Sequence, residues 1–146
     1  MRRLVFWLIT CAAILGAWFS MPRAETNIPR EYVVLTPPNY FASSDTLAAG
    51  RALFLSNCVQ CHGSAGNGQG VTKPTFGPQP ADFTDRAPPY GVQSLAPQYL
   101  FWRVSEGGRV EPFRSRGSIM PAWKYQLSDE QRWQVIAYIR ALARRP

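Results

Sequence analysis

Histidine occurs once in this 146-residue chain, at position 62, and cysteine three times, at Cys11, Cys58 and Cys61. A structural zinc site needs four ligands and repeats its Cys or His pair elsewhere. After the N-terminal stretch no such second pair exists, so zinc is starved of soft ligands. No metal in this chain can sit between two imidazoles. No strand-like alternation precedes Cys58, whereas a redox-active Cys-x-x-Cys usually opens a helix after a strand. Phosphate binding by Gly66, Gly68 and Gly70 lacks support for the same reason, since neither a strand before nor a helix after frames them. No general acid, general base or nucleophile constellation is visible, which points away from an enzyme.

Acidic residues are also scarce, nine against sixteen Lys and Arg, for a formal charge of +7. Nucleic acid is the first partner such a balance suggests. The distribution argues against it. Arg103, Arg109, Arg114 and Arg116 form a loose basic stretch interrupted by Glu106 and Glu111, while Arg2 and Arg3 belong to the N-terminus. Docking to an acidic protein partner fits the pattern better.

Long apolar runs are absent except at the start. Arg2 and Arg3 precede an uncharged run from Leu4 to Phe19. This is the layout of an export signal. A bare apolar cylinder has no polar face to present to water, which argues against a globular helix. Residues 1–24 are expected to be a cleaved signal peptide or a retained membrane anchor. A cut after Ala24 would put Pro22 at the other key position, a poor site, and residues 4–21 fall near the lower limit of a spanning helix, about 17–25 residues. Both alternatives put residues 25–146 outside the cytoplasm, in the periplasm or anchored to the inner membrane facing it. Cys11 reads as a small apolar residue of the segment.

What is present concentrates in "NCVQCHG", residues 57–63. Cys-x-x-Cys-His is the attachment signature of c-type haem. Cys58 and Cys61 can each form a thioether to a haem vinyl group, and His62 can bind the iron from one face. Methionine is the usual alternative to a second histidine, and it raises the reduction potential. Met1 and Met21 lie in or beside the targeting segment, which leaves Met120, in "GSIMPAW". An open sixth position is the remaining alternative.

Three helices are predicted. "SSDTLAAGRALFLSNC" has Ser44 or Asp45 as cap and Leu47, Ala48, Leu53, Phe54 and Leu55 as apolar surface. "PQYLFWRVSEGG" starts at Pro97, stops at Gly107 and turns Leu100, Phe101 and Val104 inward. "SDEQRWQVIAYIRAL" opens with a Ser128–Gln131 capping box and carries Val135, Tyr138, Ile139 and Leu142 at helical spacing. Between the first two, residues 63–91 hold six glycines and five prolines. This segment is expected to be an ordered loop along the cofactor edge, anchored by Phe76, Phe83 and Tyr90.

Residues 44–143 resemble the class I c-type cytochromes, the small bacterial monohaem kind. "GRALFLSNCVQCHG" is similar to that family's first helix and haem motif, "VIAYIRAL" to its last helix, "IMPAW" to its distal loop and "PQPADFT" to a segment of periplasmic and membrane-complex members. The resemblance implies an all-α cytochrome c fold, about three to four helices wrapped around one covalent haem c with a long Gly/Pro-rich loop. It implies that Val135 and Tyr138 pack on Gly50, and that a proline carbonyl, Pro78 or Pro80, receives a hydrogen bond from His62. Trp102 and Trp123 are candidates for the pocket wall or for ordinary core. The expected organisation is a targeting segment at 1–24, an extended lead-in at 25–43 and the cytochrome domain at 44–146. The expected function is one-electron transport with His62 as proximal and Met120 as distal iron ligand, in a periplasmic respiratory or dehydrogenase-linked chain. The alternatives are a fixed subunit of a membrane oxidoreductase complex and a haem enzyme or gas sensor with an open sixth position.

Overall fold

The computed structural model describes residues 28–39, 41–86 and 91–144. The targeting segment, Tyr90 and Arg145 lie outside the described residues. Among the described residues there is no β-strand. The described residues form five α-helices: α1 (Arg30–Val33), α2 (Ser44–Asn57), α3 (Val59–His62), α4 (Pro97–Glu106) and α5 (Asp129–Leu142). Single 3-10 turns follow at Val92–Ser94, Gly107–Arg109 and Trp123–Tyr125.

The three long helices are those predicted, and α1 and α3 are one-turn additions. The lead-in is therefore not uniformly extended. Tyr32 of α1 packs its ring 6.2 Å from Phe101, and its hydroxyl donates to the Glu106 carboxylate. Gln98 holds the Leu35 carbonyl at 2.9 Å, and the Phe41 ring meets Trp133 edge-on at 6.0 Å. These contacts fasten the lead-in to the helical body. Lys124 also reaches Glu106, at 2.8 Å. Burial opposes ionisation of Glu106, but the Lys124 and Tyr32 hydrogen bonds outweigh it and hold the carboxyl below its ordinary range.

Helix α2 starts one residue earlier than the Ser44 or Asp45 expectation. Its cap is Ser43, whose hydroxyl accepts from the Thr46 amide at 3.2 Å. Thr46, Gly50 and Phe54, four residues apart, form its buried face. Leu47, Leu53 and Leu55 flank it half-buried, whereas Ala48 points to solvent. The buried face lies on α5, and contact is closest at Gly50. A Cβ there would stand 2.0 Å from the Gln134 carbonyl oxygen and 3.1 Å from the Tyr138 Cβ. The neighbour is thus Tyr138 and the α5 backbone, with Gln134 in the place expected for Val135.

Helix α5 forms because its start is satisfied locally and its inner face is apolar. Ser128 Oγ accepts from the Gln131 amide at 3.2 Å, and Gln131 Oε1 accepts from the Ser128 amide at 2.9 Å. Val135, Ile136, Tyr138, Ile139 and Leu142 are buried. So is Arg132, whose guanidinium donates to Ser105 Oγ and Asp129 and lies 4.6 Å from the Phe101 ring centre. Helix α4 begins at Pro97 and buries Leu100, Phe101, Trp102 and Val104. It stops at Gly107, which has φ +58°. A Cβ at Gly107 would meet the Pro121 and Met120 carbonyl oxygens at 2.2 and 2.4 Å, so only glycine fits.

The Gly/Pro-rich loop is ordered by the end of α3. The carbonyls of Gln60, Cys61 and His62 lack helical partners, and the amides of Thr72, Gly70 and Gly68 satisfy them at 2.8, 3.1 and 2.9 Å. Phe83 is buried and anchors the loop, but Phe76 is 86% exposed and anchors nothing.

Candidate functional site

Cys58 caps the end of α2, and the chain then makes the single turn α3. The Cys58 carbonyl accepts from the Cys61 amide at 3.2 Å and the His62 amide at 2.9 Å. Three- and four-residue spacing puts all three side chains on one face. Both thiols are free. They and His62 line a cavity of about 480 Å³. Phe83, Val92, Leu100, Val104, Leu127 and Ile139 contribute apolar wall.

The His62 ring is held twice. It stacks on Phe83, centroids 4.5 Å apart and planes 22° apart. Phe83 in turn meets Phe54 edge-on at 6.2 Å, and Phe54 meets Tyr138 at 5.4 Å. Nδ1 lies 3.1 Å from the Ala81 carbonyl oxygen. A proton on Nδ1 makes that bond and leaves the lone pair on Nε2, the atom that can bind a metal. Burial holds the imidazole below its ordinary pKa range, opposed by the Ala81 bond and reinforced by the Arg103 cation. The ring is therefore neutral and ready to coordinate.

The acceptor is Ala81 rather than Pro78 or Pro80. Phe83 N–H donates to the Gly66 carbonyl at 2.7 Å, which fixes the return of the loop. The Pro80 carbonyl then faces Gly68, where an added Cβ would meet it at 2.6 Å. The next carbonyl, that of Ala81, is left to face the ring.

Met120 lines the same cavity and is partly buried against the core. Its backbone is pinned where Gly108 N–H donates to the Met120 carbonyl at 2.8 Å. Trp123 shares the wall. Trp102 does not. It packs between Tyr99 and Phe113 at 5.8 and 5.5 Å and is core. The cavity thus brings Cys58, Cys61, His62 and Met120 together.

Arg103 belongs to the basic stretch expected at the docking surface. It is half-buried and lines the cavity instead. Its guanidinium lies 3.3 Å from the Phe113 ring centre, and burial lowers its pKa. The signal was present: Arg103 follows Leu100 by three residues and precedes Val104, on the inward side of α4. Ala81 carried no such signal, because an alanine carbonyl has no side-chain signature.

Among the described residues no group of three or more His, Cys, Asp and Glu side chains is placed to hold a metal ion. The donor set suits a haem. Two thiols and an imidazole share a helix face, a thioether lies on the same cavity, and the remaining wall is largely apolar. Among the described residues no helix is long and apolar enough to cross a membrane.

Fold and site together define a class I c-type cytochrome domain. Residues 45–139 match the family described as cytochrome c oxidase, cbb3-type, subunit III, and the chain belongs to that family. The cbb3-type cytochrome c oxidase subunit FixP of Sinorhizobium medicae (strain WSM419) is 32% identical over 102 residues. That match covers 68% of this chain and 31% of the relative, so the chain spans about a third of FixP. Among solved structures, cytochrome cL of the marine methylotroph Methylophaga aminisulfidivorans MPT is similar with a TM-score of 0.53 at 18% identity. The alignment covers 84% of this chain and 70% of that one. The reducing HAO-like protein complex of Kuenenia stuttgartiensis gives a TM-score of 0.52 at 24% identity, over 83% of this chain and 50% of that one. These two likenesses establish the fold. The family implies covalent haem c as the cofactor.

Proposed function

We propose that this chain carries single electrons outside the cytoplasm, with Cys58 and Cys61 as the haem thioether sites, His62 as proximal ligand and Met120 as distal ligand. The observation that carries this reading is the convergence of these four side chains on one cavity of about 480 Å³. When bound, the haem supplies a reversible one-electron couple, and His/Met ligation raises its potential. The chain does the rest. Ala81 and Phe83 orient the imidazole, the apolar wall excludes water, and the Gly107–Gly108 turn positions Met120. Mass spectrometry of the exported protein is expected to show one haem retained after denaturation and to report the true N-terminus. A product that is colourless, or whose pigment is removed by acid–solvent extraction, would overturn the reading.

A second reading is a fixed subunit of a membrane oxidoreductase complex. The family match and the place of FixP as a subunit of a cbb3-type cytochrome c oxidase favour it. Residues 4–21 would then serve as the anchor. Fractionation after export separates the two, since a free carrier appears in the soluble fraction and a fixed subunit in the membrane fraction.

Docking is expected at the cavity mouth. Arg103 is withdrawn into the cavity, and Arg114 is paired with Glu111 at 3.0 Å. Arg109 and Arg116 remain exposed, and Arg116 and the 54% exposed Ile119 border the cavity. Charge reversal at Arg109 and Arg116 together is expected to slow association with an acidic redox partner about tenfold at low salt. The gap closes as ionic strength rises. Stopped-flow rates that are equal for both proteins at low salt would remove these residues from the docking face.

A further inference from the structure

Arg103 is a cation in the wall of an otherwise largely apolar cavity, and among the described residues no carboxylate forms an ion pair with it. Its charge is permanent, because a guanidinium does not deprotonate in proteins. Three contacts fix it. The guanidinium lies 3.3 Å from the centre of the Phe113 ring. Nη1 donates to the Gly107 carbonyl. Nη2 donates to the Met120 sulfur at 3.8 Å. Gly107 ends α4, and the adjacent Gly108 amide holds the Met120 carbonyl at 2.8 Å. Arg103 therefore grips the Met120 loop at both its backbone support and its side-chain sulfur.

We infer that Arg103 is a positioning residue for the Met120 thioether and a fixed positive charge that keeps the reduction potential high. This inference rests on Met120 being the distal ligand. A thioether sulfur has two lone pairs. A bond from Nη2 to one orients the sulfur and leaves the other for a metal. A fixed cation beside the site disfavours the oxidised state, which carries one more positive charge, and the low-dielectric wall strengthens the effect.

The test uses the mature holoprotein and two variants. Arg103→Gln removes the charge. It is expected to shift electron partition against a reference couple about tenfold towards the oxidised form, a fall of about 59 mV for one electron. Arg103→Lys retains the charge but loses the fork that spans Gly107 and Met120. It is expected to keep most of the potential while its Met-to-iron charge-transfer band is lost at a lower temperature than in the wild type. A role confined to stability would lower the unfolding temperature and leave the potential unchanged. An unshifted potential in Arg103→Gln, or a band in Arg103→Lys as robust as the native one, would overturn the inference. Where Arg103→Gln gives no holoprotein, the Arg103→Lys result decides alone. If the wild-type protein has no such band, the Met120 assignment fails first and this inference with it.

Discussion

Met120→Ala is expected to abolish the Met-to-iron charge-transfer band of the ferric protein and to create a ferrous form that binds carbon monoxide. Met120 is the sole methionine outside the N-terminal segment and lies on the cavity shared by His62. No second imidazole exists to replace it. The variant should have a lower potential, because the thioether that favours the reduced state is gone. Truncating a partly buried methionine also costs about 2 kcal/mol of packing, at the lower end for such changes. The two effects separate by measurement. Unfolding reports the packing loss, while optical spectra and carbon monoxide titration report coordination. A variant that retains the band and ignores carbon monoxide would show that the sulfur does not bind iron.

Gly50→Ala should destabilise the fold more than any other single methyl group added to α2. Alanine favours a helix interior by about 1 kcal/mol over glycine. That gain is outweighed here. The new Cβ would lie 2.0 Å from the Gln134 carbonyl oxygen, a backbone atom in the middle of α5 that cannot rotate away. The helices must separate, which loosens Phe54 and Tyr138 at their shared interface. The net cost is expected to be about 3 kcal/mol, equivalent to a fall of roughly 10–20 °C in the unfolding midpoint of a domain this size. The exposed Ala48→Gly and Ala52→Gly changes on the same helix serve as controls, each costing about 1 kcal/mol. A Gly50→Ala protein as stable as the wild type would mean that α2 and α5 do not approach as closely as described.

Much of this was legible in the sequence where the chemistry is local. Pro97 and Gly107 bracket α4, and Ser128 with Gln131 opens α5, because capping groups sit within one turn of the amides they satisfy. Cys58, Cys61 and His62 could be read as one site because a single helical turn brings them together. Features set by distant contacts could not. Phe76 and Phe83 are the same residue type in the same loop, but only Phe83 stacks on His62. The choice of Ala81 over the neighbouring prolines follows from the hydrogen bond between Phe83 and Gly66, which composition does not encode. Helix α1 rests on Tyr32 meeting Phe101 and Glu106, partners more than sixty residues away. Arg103 shows a subtler limit. Its helical position suggested the interior, yet its charge suggested solvent, and only the Phe113 ring and the Met120 sulfur reveal why the interior prevails.

The surroundings of Cys58 bear on how such a molecule is put together. Burial, with a smaller contribution from neighbouring Cys61, pushes the Cys58 thiol up to about 12. At neutral pH it stays protonated in the closed chain, and a protonated thiol is a weak nucleophile. On the attachment proposed for Cys58, the sulfur is less reactive in the closed chain than in an open one.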